Sequence, residues 1–566
     1  MALSSRMARA AIAAMASLAS LPALAALAAV TALLGAAPWS VAATVVPAGL
    51  AGAVAAAPAA ADGLSAAAAR GKQIYSTGTS PAGGAMTAVL GEGGAEVPAS
   101  ALPCAGCHGS DGRGGREGGV RPSDLTREAL HQPAAGGGDG RRRPAYSDRL
   151  LIRAMTMGID PAGNALQVAM PRYRLTRQDA ADLLAYLERL GHEAEPGLTA
   201  GEIRLGVLLP GGGRPESAAQ AAAVRAVLEA RFAELESAGG LYGRRLTLSF
   251  AALPEPPAER AAKLRELLAR EPLFALVGSY LAGAESEMAA TVAAAAIPLI
   301  GPLTARPRQD FPLNRYVFYL TPGLAEQANA LVEFAARQLP PGRRPLVVIR
   351  PDTAELAGIA GAAAAAARGR GFTTLETAAS GTATAQAAEL AGRVGEGGAA
   401  AVLLFDDGRA VQELLRQLQT LGWRPLILLP GALPGEDPFA VVPAALADRL
   451  FLSLPVLPPD RTPGAAADYR RLAAAHALPA HHVAAQMTAL AAAEVLIEGL
   501  KRTGRDLSRE KLIATLEKLY RFDAGLGAPV SFGPNRRIGE RGAYVAGLDF
   551  AHHSLGPQVP WIEIEP

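Results

Sequence analysis

Only two cysteines occur among the 566 residues, three positions apart with a histidine directly behind them: Cys104-Ala105-Gly106-Cys107-His108. Two thiols followed at once by an imidazole form the C-x-x-C-H arrangement that attaches a c-type haem. Each thiol can add across one vinyl group of the porphyrin, and the two-residue gap matches the vinyl separation along a helical turn. The imidazole is then presented to the iron from the same side. A redox C-x-x-C pair should open a helix after a strand, whereas a Gly/Pro-containing loop precedes Cys104. A zinc site needs two further ligands at motif spacing, and His131 and His192 have none. The expectation is one covalent haem c, held by Cys104 and Cys107, with His108 as one axial ligand.

The elements that must position this motif have their own signatures. Ala68-Ala69-Arg70-Gly71-Lys72-Gln73-Ile74-Tyr75 reads as a helix in which Gly71 permits a close crossing. Thr176 with Asp179 three residues on can cap a last helix, in which Leu183, Leu187 and Leu190 share a face before Gly191 ends it. With His108-Gly109-Ser110-Asp111-Gly112 after the motif and Met170-Pro171-Arg172-Tyr173 further on, residues 64–191 resemble the class I cytochrome c family. The resemblance implies a small all-α domain with Tyr75 near the haem and Met170 as sixth iron ligand. Met155 and Met157 fall in an apparent helix, Asp148–Met157, where a methionine belongs to core packing. His131 is the remaining outside candidate for the iron. About 28 residues separate Tyr75 from Cys104, a Gly/Ala/Ser-rich insertion expected to lie across the surface.

The rest of the chain is a different kind of polymer. Length alone calls for two or three globular units. With 54 basic against 52 acidic residues and a net charge of +2, no nucleic-acid partner is implied. Residues 1–61 read as an export signal and Ala-rich leader: Arg6 and Arg9, an apolar run from Ala10 to Ala37, then small-residue sites. A periplasmic location follows, with an uncleaved membrane anchor as the competing reading. Residues 62–192 make the haem domain and 193–201 a linker. Beyond it, near-continuous Val/Ile/Leu strands alternate with Ala-rich helices, beginning at Ile203–Leu209 and recurring to Leu426–Leu429. That alternation means parallel sheets covered on both faces, too many strands for one sheet, hence two α/β lobes in residues 202–566. Gly211-Gly212-Gly213 has no dinucleotide or P-loop spacing, and no hydrolytic Ser/His/acid set is discernible.

Several segments in order are similar to periplasmic substrate-binding proteins of the branched-chain amino-acid type. They are Gly239–Arg244, Leu273–Ser279, Ile297–Pro302, Asn314–Phe318 and Phe532–Arg537. The resemblance implies two lobes joined by three crossings, with a ligand cleft that closes by hinge motion. Strand C-terminal ends line such a cleft, which nominates Ser279, Tyr280 and Thr304 from the first lobe and Asp406 from the second. The expected function is electron transfer through a His/Met haem, with the lobes as a fused small-molecule-binding module rather than an enzyme. Redox partners would be a periplasmic dehydrogenase, cytochrome or oxidase. The alternative is a binding component serving a membrane permease, with the cytochrome as accessory. A haem peroxidase would need a second motif or an open iron.

Overall fold

The computed structural model describes residues 64–564, except 92–93, 110, 115–121, 136–141, 192–194, 311–312, 343, 380–398, 406–407, 432–438, 440–441, 463 and 465. The expected export segment, His192 and Asp406 lie outside the described residues.

In the haem-motif domain, α1 (Ala66–Thr77) starts at Ser65, whose side chain accepts the Ala68 N–H, and ends at Gly78 in the left-handed region. It crosses the helix Arg177–Leu187, which opens with the expected capping box between Thr176 and Asp179. The crossing depends on Gly71: a Cβ there would lie 1.9 Å from the Asp182 carbonyl oxygen. Beside it Arg70 forms a two-pronged bond to the Asp182 carboxylate, 2.7 Å at each prong. Tyr75 packs on Tyr186 with ring centroids 5.4 Å apart. The addition to these helices is a small sheet. The insertion folds back as a hairpin, β1 (Thr87–Leu90) and β2 (Ala95–Pro98), and β1 pairs antiparallel with β3 (Arg172–Arg174). The insertion is thus built into the domain, with Met86 and Ala88 buried.

The first lobe is a five-stranded sheet in the order Val317–Phe318, Leu299–Ile300, Ala275–Val277, Glu202–Leu209, Arg245–Ala252, with every pair parallel. The second is an eight-stranded sheet whose parallel part runs Phe372–Ala379, Arg344–Pro351, Ala401–Leu404, Leu426–Pro430, Leu450–Leu454. Gly542–Asp549 adds antiparallel beside Leu450–Leu454. Strand interiors such as Leu346–Ile349 and Ala401–Leu404 are buried throughout, as sheets covered on both faces require.

The chain passes between lobes after Phe318, after Leu454 and before Gly542. At the hinge the backbones of Tyr319 and Gly539 bond at 2.8 Å, and Leu320 carbonyl accepts from Glu540 N–H at 3.0 Å. Helix Val483–Thr503 is long and apolar enough to cross a membrane, yet it is buried in the first lobe's core with Val495, Leu496 and Leu500 at its centre. The linker is docked rather than loose: Gly197 carbonyl accepts from Arg204 N–H, and Leu198 packs on the first lobe.

Candidate haem site and ligand cleft

Cys104–His108 form a single helical turn behind Pro103. That turn carries both thiols and the imidazole, neither thiol is in a disulfide, and Cys107 is exposed. Cys104 borders the domain's apolar cluster together with Met155, Met170 and Leu175. Burial pushes its thiol up to about 11, so it rests neutral until it reacts. His108 is 6% exposed, and burial lowers its pKa while the Ser123 carbonyl opposes that shift. Its Nδ1 lies 2.8 Å from the Ser123 oxygen. A carbonyl can only accept, so Nδ1 carries the proton and Nε2 keeps its lone pair. That outer bond is the usual way a metal-binding imidazole is oriented.

The loop behind the motif is held closely. Tyr75 hydroxyl donates to Gly109 carbonyl at 2.6 Å and Tyr173 hydroxyl to Leu102 carbonyl at 2.5 Å. Gly112 takes φ +75°, and a Cβ there would run into Leu190 at 2.4 Å. The residues present therefore fit a covalently held haem: two unpaired thiols, a neutral oriented imidazole, and an apolar cluster beside them.

Met170 is partly buried within that same cluster. Its segment is braced by Arg172, whose guanidinium donates to the Met170 carbonyl and, at 3.3 Å, to Leu166 carbonyl. The other candidates are placed differently. Met155 packs on the cluster, His131 bonds Glu188 at 2.7 Å, and Met157 is 63% exposed. The expectation that Met157 belongs to the core is corrected: the helix ends at Gly158, and its last residue points outward. The haem-motif loop also feels the first lobe. Glu510 is raised chiefly by burial, opposed by Arg315, with a small contribution from the charge of Asp111.

At the strand ends of the first lobe, Ser279 is fully buried. Its Oγ accepts Leu208 N–H at 3.1 Å and sits 3.4 Å from Val277 carbonyl, so its hydroxyl is engaged inside the lobe. Tyr280 is partly exposed, with the Arg260 guanidinium 5.4 Å from its ring centroid. Thr304 donates to Glu285 Oε1 at 2.7 Å and accepts Arg306 N–H at 3.0 Å. Arg306 lies 3.6 Å from Glu285 and pairs with Glu355 in the first turn of the second-lobe helix Ala354–Gly369. Glu285, Arg306 and Glu355 were not singled out from sequence. The only available signal was a cation two residues beyond Thr304.

Residues 68–191 match the cytochrome c family, and residues 202–553, more than half of the chain, match the periplasmic binding protein family. No curated protein matches the sequence. Among solved structures, an ABC transporter substrate-binding protein from Desulfitobacterium hafniense superposes with a TM-score of 0.52 at 18% identity, over 64% of this chain and 99% of the other. A branched-chain amino acid ABC transporter structure from Thermus thermophilus with bound valine gives 0.52 at 17%, covering 64% and 97%. A fatty acid ABC transporter substrate-binding protein from Thermomonospora curvata gives 0.50 at 17%, covering 66% and 94%. These likenesses agree with the two-lobed fold, and the family match settles the assignment: the chain belongs to the periplasmic binding protein family, with a cytochrome c domain ahead of the binding lobes.

Proposed function

We propose that the protein is an exported, periplasmic electron carrier with one haem c, fused to a small-molecule-binding module. The observation that carries this reading is the Nδ1 bond of His108 to Ser123 carbonyl, which leaves Nε2 free for iron beside two unpaired thiols. Cys104 and Cys107 would hold the group through their sulfurs, and His108 and Met170 would be the ligands to its iron. When bound, the group supplies one-electron chemistry, and His/Met ligation favours transfer over reaction at the iron. Tyr75 and Tyr173 fix the backbone on both sides of the motif, so little rearrangement accompanies a change of charge. Partners are a periplasmic dehydrogenase as donor and a cytochrome or oxidase as acceptor. The lobes take a small ligand in their cleft, with Tyr280 and Thr304 in the first-lobe wall; Asp406, outside the described residues, is the second-lobe candidate from sequence alone.

The test is acid–acetone extraction of purified, denatured protein followed by redox titration of the intact chain. Colour retained on the polypeptide and one reversible single-electron step are expected; extracted haem refutes covalent attachment. A second reading follows from the family itself: the lobes serve a membrane permease and the cytochrome is accessory. A deletion strain that loses solute uptake while keeping respiratory rate would favour that reading.

A further inference from the structure

We infer that Arg306 is the anion-binding group of the cleft, and that Glu355 occupies it when the lobes are closed. This rests on reading the lobes as a ligand-binding module. The two carboxylates around this guanidinium stand on unequal footing. Glu285 is 7% exposed, belongs to the same lobe as Arg306 and is tied to Thr304, which also receives the Arg306 N–H. Those three residues move together. Glu355 is 50% exposed and stands in the other lobe, so its bond alone must break when the hinge opens.

The loop is also coupled to the hinge, because Ala305 carbonyl accepts from Leu324 N–H at 2.8 Å, just past the first crossing. Opening would leave Arg306 beside Glu285, its Nε 3.6 Å from Oε1, and would free the N–H edge that Glu355 occupies. That edge is planar and matches a carboxylate with two parallel hydrogen bonds. With Arg306 held in place beside Glu285, a cationic ligand would meet a like charge and be repelled. The ligand class is accordingly a carboxylate-bearing molecule, and Glu355 is its internal competitor.

The experiment is calorimetry of the full-length haem protein with sodium acetate, with acetamide as neutral control, at ionic strength fixed with chloride. Glu355→Gln removes the competitor and should tighten acetate binding by about tenfold or more relative to wild type. Arg306→Gln should abolish binding in either background, while Arg306→Lys, which keeps the charge without the fork, should retain a weakened response. Equal acetate binding by wild type and Glu355→Gln overturns the inference, as does binding that survives Arg306→Gln. A neutral or cationic ligand recovered with the purified protein, and held equally by wild type and Arg306→Gln, overturns the anion assignment and leaves the binding-module reading standing.

Discussion

Met170 and Met157 separate by environment, and the difference can be measured. Met170 borders the apolar cluster that also contains Cys104, whereas Met157 is largely exposed. Met170→Ala should lower the reduction potential and let carbon monoxide bind the reduced protein; Met157→Ala should leave both unchanged. An exchange of these phenotypes assigns the sulfur to Met157. Glu540 offers a second test at this scale. It is 1% exposed at the hinge, neither carboxyl oxygen has a hydrogen-bond partner among the described residues, and burial raises its pKa well above the usual carboxylate range. Above the unfolded carboxylate's pKa, the unfolded chain has lost a proton that the folded chain still holds. Stability from this group is therefore fully present below that pKa and falls by about 1.4 kcal/mol per pH unit above it, until the folded group also ionises. Glu540→Gln removes that slope, so its stability relative to wild type should rise between about pH 5 and about pH 7. An identical difference at both pH values means that the buried group does not hold its proton.

Among elements, the strand Arg172–Arg174 does the positioning for Met170, and it is stitched on both sides. The hairpin pairs with it through Ala88 opposite Tyr173, and Arg172 reaches back to the carbonyls of Leu166 and Met170. Hydrogen bonds from a charged donor contribute about 1.5–3 kcal/mol each. Arg172→Gln should accordingly speed amide exchange in residues 163–170 by about tenfold or more, with the hairpin amides unaffected. Unchanged exchange would show that the hairpin alone holds the loop. How much of this was legible in sequence depends on how local each cause is. Thr176 with Asp179, Gly71, and the Val/Ile/Leu strands announce themselves because capping, close approach and two-sided burial each select residue types at short spacing. The hairpin did not, because Thr87–Leu90 and Ala95–Pro98 are four-residue strands inside a Gly/Ala/Ser-rich stretch, below the length at which alternation is distinctive. Arg306 and Glu355 meet only because the hinge folds two lobes together. Ser279 was legible as a strand-end residue, but its engagement with Leu208 N–H depends on the neighbouring strand.

At the scale of the whole molecule, the haem domain and the lobes have separate apolar cores. Ile74, Tyr75, Tyr173, Tyr186 and Leu190 form one cluster, while Val207, Leu228, Phe318 and Leu496 belong to another. Both cysteines lie in the haem domain, so no disulfide or haem thioether constrains the lobes directly. Among the described residues the joint consists of a linker docked through Gly197, Leu198 and Thr199, whose carbonyl accepts from Arg244, and of electrostatic contributions of Asp111 at Glu510 and Arg113 at Asp506. Separate cores with such a joint unfold as separate cooperative units. Replacing both cysteines, Cys104→Ala with Cys107→Ala, should abolish haem attachment and remove the haem domain's contribution to the melting curve. The transition of the lobes should persist, displaced by no more than about 1 kcal/mol, the scale of a surface electrostatic contact. Scanning calorimetry of wild type and the double variant, read with circular dichroism, decides the matter. Collapse of the lobe transition in the haem-free variant would mean that the cytochrome domain is an integral support for the binding lobes, and that the joint between them is far stronger than its contacts indicate.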